Sequence, residues 1–150
     1  MIISILLGSS IFLASVGIQV MAIVGLVRFL ERRTRLGKFT ENLWVGGVAL
    51  SGGMLIVFVG HLLQIGIWAG LFIWLGEFES YATAFYHSAV NFASLGYGDI
   101  VMSDTWRLLG AIEAASGVMM FGISTGIGLA VVTLLLKRIR GTDGEDQESF

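Results

Sequence analysis

The sequence predicts an all-α membrane protein: three transmembrane helices, with a re-entrant segment inserted between the second and the third. Three observations carry that prediction. Of 150 residues, 55% are hydrophobic and 13% charged, a chain too short for several soluble domains and too apolar for an ordinary one. Three apolar stretches, Met1–Leu30, Leu43–Leu75 and Leu108–Leu136, each exceed the roughly 20 residues that a helix needs to cross the hydrocarbon core. Between the last two lies Glu77–Arg107, interrupted by Glu79, His87, Asn91 and glycines. It is too short and polar for a span with its loops, yet too apolar for a free loop.

The first element, residues 1–30, reads as a retained peripheral helix. Its start, MIISILLGSS, has no basic residue, and the apolar run is longer than the roughly 7–15 residues of a signal-peptide core. A basic loop, residues 31–42, follows. Arg32, Arg33, Arg35 and Lys38 cluster there, with Arg28 just before it, and Lys137, Arg138 and Arg140 follow the third span. Lys and Arg collect on the cytoplasmic side, so the N-terminus is expected outside and the C-terminus in the cytoplasm of a multi-pass protein of the cell (inner) membrane. Anchoring in the lipid bilayer accounts for the basic cluster without nucleic acid, and no soluble substrate is implied. The outer region carries Glu77, Glu79, Asp99 and Asp104 against Arg107, a face that attracts cations.

Residues 43–136 form the second unit, with an outer helix at 43–76 and an inner helix at 107–136. Trp44, Trp74 and Trp106 stand where interfacial aromatics belong. The pairs Gly66/Gly70 and Gly122/Gly126 are spaced for close helix approach, and His61 and Gln64 share a face suited to a hydrogen-bonded contact with the first span. Residues 137–150 read as a cytoplasmic tail, its end GTDGEDQESF acidic and short of apolar residues. Cysteine is absent, which excludes disulfides and Cys-based metal sites.

Inside the outer region, residues 80–93 read as a short helix containing YATAFYHSAVNFA, about 20 Å at 1.5 Å per residue. That reaches roughly halfway through the hydrocarbon. The chain must then return through SLGYGDI, and non-helical backbone at that depth is tolerated only within protein or along a watery cavity. Carbonyls that all point one way along a strand require alternating unusual dihedrals, and Gly96 and Gly98 supply positive φ at little steric cost. Leu95 and Tyr97 would point backwards and wedge the strand against the short helix. Several such strands around an axis would stack their oxygens into rings able to replace water around a dehydrated cation.

The segment YHSAVNFASLGYGD resembles the pore helix and selectivity filter of the potassium channels of the pore-loop superfamily, in particular the small prokaryotic members with two helices around the pore. The family signature Thr-Val-Gly-Tyr-Gly-Asp stands against Ser94, Leu95, Gly96, Tyr97, Gly98 and Asp99, and EAASGVMMFGISTG resembles the glycine-hinged inner helix. The first helix is additional to that pattern. The resemblance implies a homotetrameric channel and a filter over 94–99. K+ would be held at Ser94, Leu95, Gly96 and Tyr97, with Gly98 completing the strand, Asp99 at the outer mouth, and Gly117 and Gly122 as hinge or gate candidates. It implies no enzyme activity and no cofactor beyond K+ as the permeant ion. Ser94 keeps a hydroxyl but lacks the methyl of threonine, and Leu95 adds a methylene where valine is usual, so a weakly selective monovalent cation channel is the alternative.

Glu113 lies within the third span, where an unpaired acid is costly. The expectation is that it braces the filter from behind together with His87 and Asn91, which share a helix face at i, i+4; in the family an acid often does so from the pore helix, where Val90 stands here. Two further readings are weaker. A non-conducting scaffold has no need of the Gly-Tyr-Gly dihedrals. An intramembrane protease of the Gly-x-Gly-Asp type needs a second aspartate sharing the site, and Asp104, Asp143 and Asp146 lie outside the spans. The first span lacks the repeated arginines of a voltage sensor, so the gating stimulus is not encoded in any recognisable motif.

Overall fold

The computed structural model describes residues 1–35 and 43–145. They form four helices, α1 (Ile2–Arg35), α2 (Leu43–Trp74), α3 (Tyr81–Phe92) and α4 (Arg107–Glu145), with no strand among the described residues. Three of them, over Ile2–Arg33, Gly46–Trp74 and Arg107–Thr133, are long and apolar enough to cross a membrane. The fold is therefore all-α with three spanning helices and one short helix between the second and third. Two limits differ from expectation. α1 continues to Arg35, past residue 30, and α4 continues to Glu145 through residues read as the beginning of a tail. Proline-free basic sequence offers nothing that ends a helix at either point. Most of the expected basic loop, including Lys38, and the last five residues lie outside the described residues.

α1 runs parallel to α4 and antiparallel to α2, and it touches both. Its small residues and those of α2 let the backbones approach: a side chain at Gly53 would strike Leu26, one at Gly60 would lie 3.0 Å from Ala22, and one at Gly8 would lie 2.9 Å from Ile112 of α4. Within the single chain, the glycines that serve this purpose are not the pairs singled out by spacing. Gly70, Gly122 and Gly126 have nothing within 4 Å, and Gly66 faces the Tyr81 hydroxyl. Spacing identifies candidates for close approach, but which face meets a neighbour is set by tertiary packing.

The core gathers Ile65, Trp68, Leu71 and Phe72 of α2, Phe92 of α3, and Leu109 and Met120 of α4. Polar side chains cross it near mid-helix. Gln64 donates to Gln19 (3.0 Å), Gln19 donates to Ser124 (2.8 Å), and the Ser124 hydroxyl donates to the Met120 carbonyl (2.8 Å). The His61 Nε2 lies 3.1 Å from the same hydroxyl. Because Ser124 has one proton and a carbonyl can only accept, His61 must donate from Nε2, which fixes its tautomer. As the sequence suggested, Gln64 bonds to the first span; His61 instead reaches the third.

Candidate functional site

The half-membrane hairpin is built from its caps inward. Ser80 adopts an extended backbone and accepts from the Thr83 amide at 3.1 Å, an N-cap that starts α3, worth about 1 kcal/mol. At the other end the Ser94 amide donates to the Asn91 carbonyl (2.8 Å) and the Leu95 amide to the Val90 carbonyl (2.9 Å). This crossed pair is a Schellman ending, which needs a left-handed residue at the first position past the cap. Ser94 takes that position with φ 56°, an uncommon conformation for a residue with a side chain.

The alternation continues. Gly96 has φ 60° and Gly98 φ 74°, whereas Leu95 and Tyr97 stay at negative φ. Every second residue from 94 to 98 is thus left-handed, the backbone pattern that brings successive carbonyls to one side of a strand. Ser94 through Asp99 are all exposed in the single chain. The expected wedge is not formed within the chain: Leu95 is 56% and Tyr97 67% exposed, because α3 buries its opposite face, with Ala84, His87, Ser88 and Val90, against α2 and α4.

Three ties hold the segment beyond the strand. The Tyr86 hydroxyl donates to Asp99 at 2.8 Å, and this bond pushes the Tyr86 phenol pKa up. Glu77 receives both the amide and the hydroxyl of Ser103, each at 2.7 Å. His87 places Nδ1 3.0 Å from the Ile100 carbonyl and Nε2 2.8 Å from the Asn91 amide nitrogen. A carbonyl accepts only, so Nδ1 carries the proton and Nε2 accepts from Asn91. Burial among Phe72 and Phe78 lowers the His87 pKa, against the opposing pull of the Ile100 carbonyl, Asp99 and Glu77.

Behind the strand, α4 closes on α3. Glu113 is fully buried, with Ser88 and Asn91 of α3 as polar neighbours. Its carboxylate oxygens and the Ser88 and Ser116 hydroxyls complete no hydrogen bond among the described residues. Gly110 leaves room for the Asn91 amide, which would sit 3.0 Å from any added Cβ. One turn below Glu113, Gly117 meets the Phe92 backbone so closely that a Cβ there would overlap its carbonyl oxygen. Close approach accounts for this glycine, whereas Gly122, the other hinge candidate, stands in open space.

The fold therefore brings His87, Asn91 and Glu113 together behind the returning strand, with Gly117 beneath it and Asp99 held at its far end. Gly122 is not part of the cluster. Sequence reasoning missed Tyr86, Ser88, Ser103 and Glu77 as parts of this frame. Their signal was only their polarity next to a strand that cannot bond to itself. Among the described residues, no group of three or more His, Cys, Asp or Glu is arranged to hold a metal ion.

A family model described as "Ion channel" matches residues 60–135, from the second half of α2 into α4. The chain belongs to this ion channel family. The matched region is the hairpin together with the two helices that carry it, and α1 lies outside it. The chain is accordingly a membrane protein of ion transport. No curated protein and no solved structure matches the chain.

Proposed function

We propose that this ion channel conducts K+ selectively and passively as a homotetramer, its filter formed by the carbonyls of Ser94, Leu95, Gly96 and Tyr97 around a fourfold axis. The alternation of left-handed residues at 94, 96 and 98 carries the proposal. It supports a row of carbonyls facing one way, and four such rows can replace the hydration shell of a cation. The exposure of Leu95 and Tyr97 supports assembly, since apolar side chains beside a conduction strand call for cover from a neighbouring copy. In that arrangement Asp99 sits at the outer mouth. His87, Asn91 and Glu113 support the filter, α4 lines the pore, α2 stands behind it, and α1 fills the groove between them at the periphery. The N-terminus lies outside and the C-terminus in the cytoplasm of the cell membrane, as the arginine and lysine positions favour. Conduction through carbonyls involves no catalytic step and no cofactor, and Gly122 offers α4 a place to bend.

Weak selectivity among monovalent cations is the second reading, favoured by Ser94 and Leu95 at positions where the resembled family has threonine and valine. Purified protein in planar bilayers under opposed K+ and Na+ gradients tests both. A reversal potential close to the K+ equilibrium value supports the proposal, a value near zero replaces it with the second reading, and absence of current in a preparation that is tetrameric overturns both.

A further inference from the structure

The half of the molecule away from the filter contains a cavity of about 760 Å³ between α1, α2 and α4, within the range of small-molecule sites. Its walls are Leu26 and Leu30 of α1, Met54 and Phe58 of α2, and Phe121 and Leu129 of α4. It lies on the far side of the Gln19–Ser124 bond from the filter. Its few polar side chains are largely engaged: Ser124 bonds Gln19, the His61 Nε2 and the Met120 carbonyl, and Thr125 donates to the Phe121 carbonyl at 2.8 Å. A cavity with walls this apolar and so few polar groups offers water too few partners and suits a hydrocarbon chain.

The charge at its mouth identifies the rest of the occupant. Leu26, Leu30 and Arg33 are spaced i, i+4, i+7 and share one face of α1, so Arg33 lies one turn, about 5 Å, beyond the last apolar wall. Its guanidinium sits 5.4 Å over the Phe29 ring, and Arg28, Arg32 and Glu31 are exposed nearby. Along the sequence, α4 continues past Val131, its last wall residue, to Lys137, Arg138 and Arg140. Basic residues at the membrane surface between helices attract anionic head groups. We propose that this cavity binds one acyl chain of an anionic phospholipid from the leaflet on the arginine side, with its phosphate at Arg33. The site needs α1, which supplies Leu26, Leu30 and Arg33 and lies outside the matched family region. It does not depend on which cation the channel conducts.

The test uses the full-length protein, delipidated in detergent and titrated with phosphatidylglycerol or phosphatidylcholine, with bound lipid per chain counted by native mass spectrometry. Retention of one phosphatidylglycerol per chain, at least tenfold in preference to phosphatidylcholine, is expected. Leu129→Trp, which fills the cavity, should reduce retention tenfold or more. Arg33→Gln, which removes the charge at the end of α1, should abolish the preference between head groups while leaving some tail binding. Equal retention of both lipids by the unaltered protein overturns the assignment, and so does phosphatidylglycerol retention that neither variant changes. Occupation by a neighbouring copy instead of lipid would also overturn it. Leu129→Cys in this cysteine-free chain would reveal it by a disulfide to Leu26→Cys of a second copy in mixed assemblies.

Discussion

The filter half and the opposite half of the molecule are held together by different means. Around α3, backbone meets backbone or a side-chain hydrogen bond: Gly117 against the Phe92 carbonyl, Tyr86 to Asp99, Glu77 to Ser103, His87 to Ile100. On the far side of Ser124, α1 and α2 still meet closely at Leu26 and Gly53, but a cavity with apolar walls lies between them and α4. The difference follows from what each half contains. A returning strand with left-handed residues at every second position makes no ladder of its own, so its position must be imposed by neighbours, whereas a plain helix satisfies its backbone internally and can tolerate space beside it.

The largest test of that contrast compares two glycines of α4. In an open helix position, Gly→Ala stabilises by up to about 1 kcal/mol, and Gly122→Ala should do so because nothing lies within 4 Å of the new methyl. Gly117→Ala should do the opposite. The methyl would overlap the Phe92 carbonyl oxygen, and backbone cannot turn aside as a flexible side chain can. A loss of about 3 kcal/mol or more is expected, at the upper end of overpacking effects, together with loss of ion flux. Thermal unfolding in detergent and a flux assay measure both. Equal effects at the two positions would show that α4 does not press on α3 as described.

A middle-sized effect tests where the tight half ends. Gln19→Leu removes the link that joins α1 to both α2 and α4, leaving the buried Gln64 amide without its acceptor. A cost of about 1–2 kcal/mol is expected, read as a lowered unfolding temperature. A Gln19→Leu/Gln64→Leu double variant should recover part of that loss, because no orphaned amide then remains. No recovery would mean that the bond contributes less than the local apolar contacts.

How much of this was legible in the sequence depends on which interactions set each feature. The three spans and the half-length α3 follow from apolar length, which is a local signal. The positive φ of Gly96 and Gly98 was readable because glycine is the residue that such dihedrals select. Ser94 at φ 56° was not, since it arises from a helix ending whose partners, Val90 and Asn91, bond through their backbone. Nor was the purpose of Gly117. Its partner is a carbonyl oxygen, which leaves no trace in side-chain identity. The burial of Glu113 beside Ser88 and Asn91 was half legible: an acid within a span must face protein, but which polar groups it faces depends on how α3 is rotated.

The smallest expected effect concerns His87, at the outer edge of the tight half. Its neutral ring donates from Nδ1 to Ile100 and accepts at Nε2 from Asn91. A second proton on Nε2 would face the amide NH2 of Asn91, donor against donor, so protonation requires that amide to turn or leave. Burial lowers the folded-state pKa below the ordinary 6.5, with the Ile100 carbonyl, Asp99 and Glu77 opposing in part. The sign follows from proton counting. Between the lowered folded value and 6.5, the unfolded chain holds more protons than the folded one, so stability rises with pH across that window. The contribution of His87 is complete above about pH 6.5 and is lost as pH falls towards the folded value. Unfolding temperatures measured from pH 7.5 down to 5 should decline more steeply in the native chain than in a His87→Gln variant, whose amide cannot titrate. Parallel declines would place the pH dependence elsewhere and reduce His87 to a neutral strut between α3 and the Ile100 carbonyl.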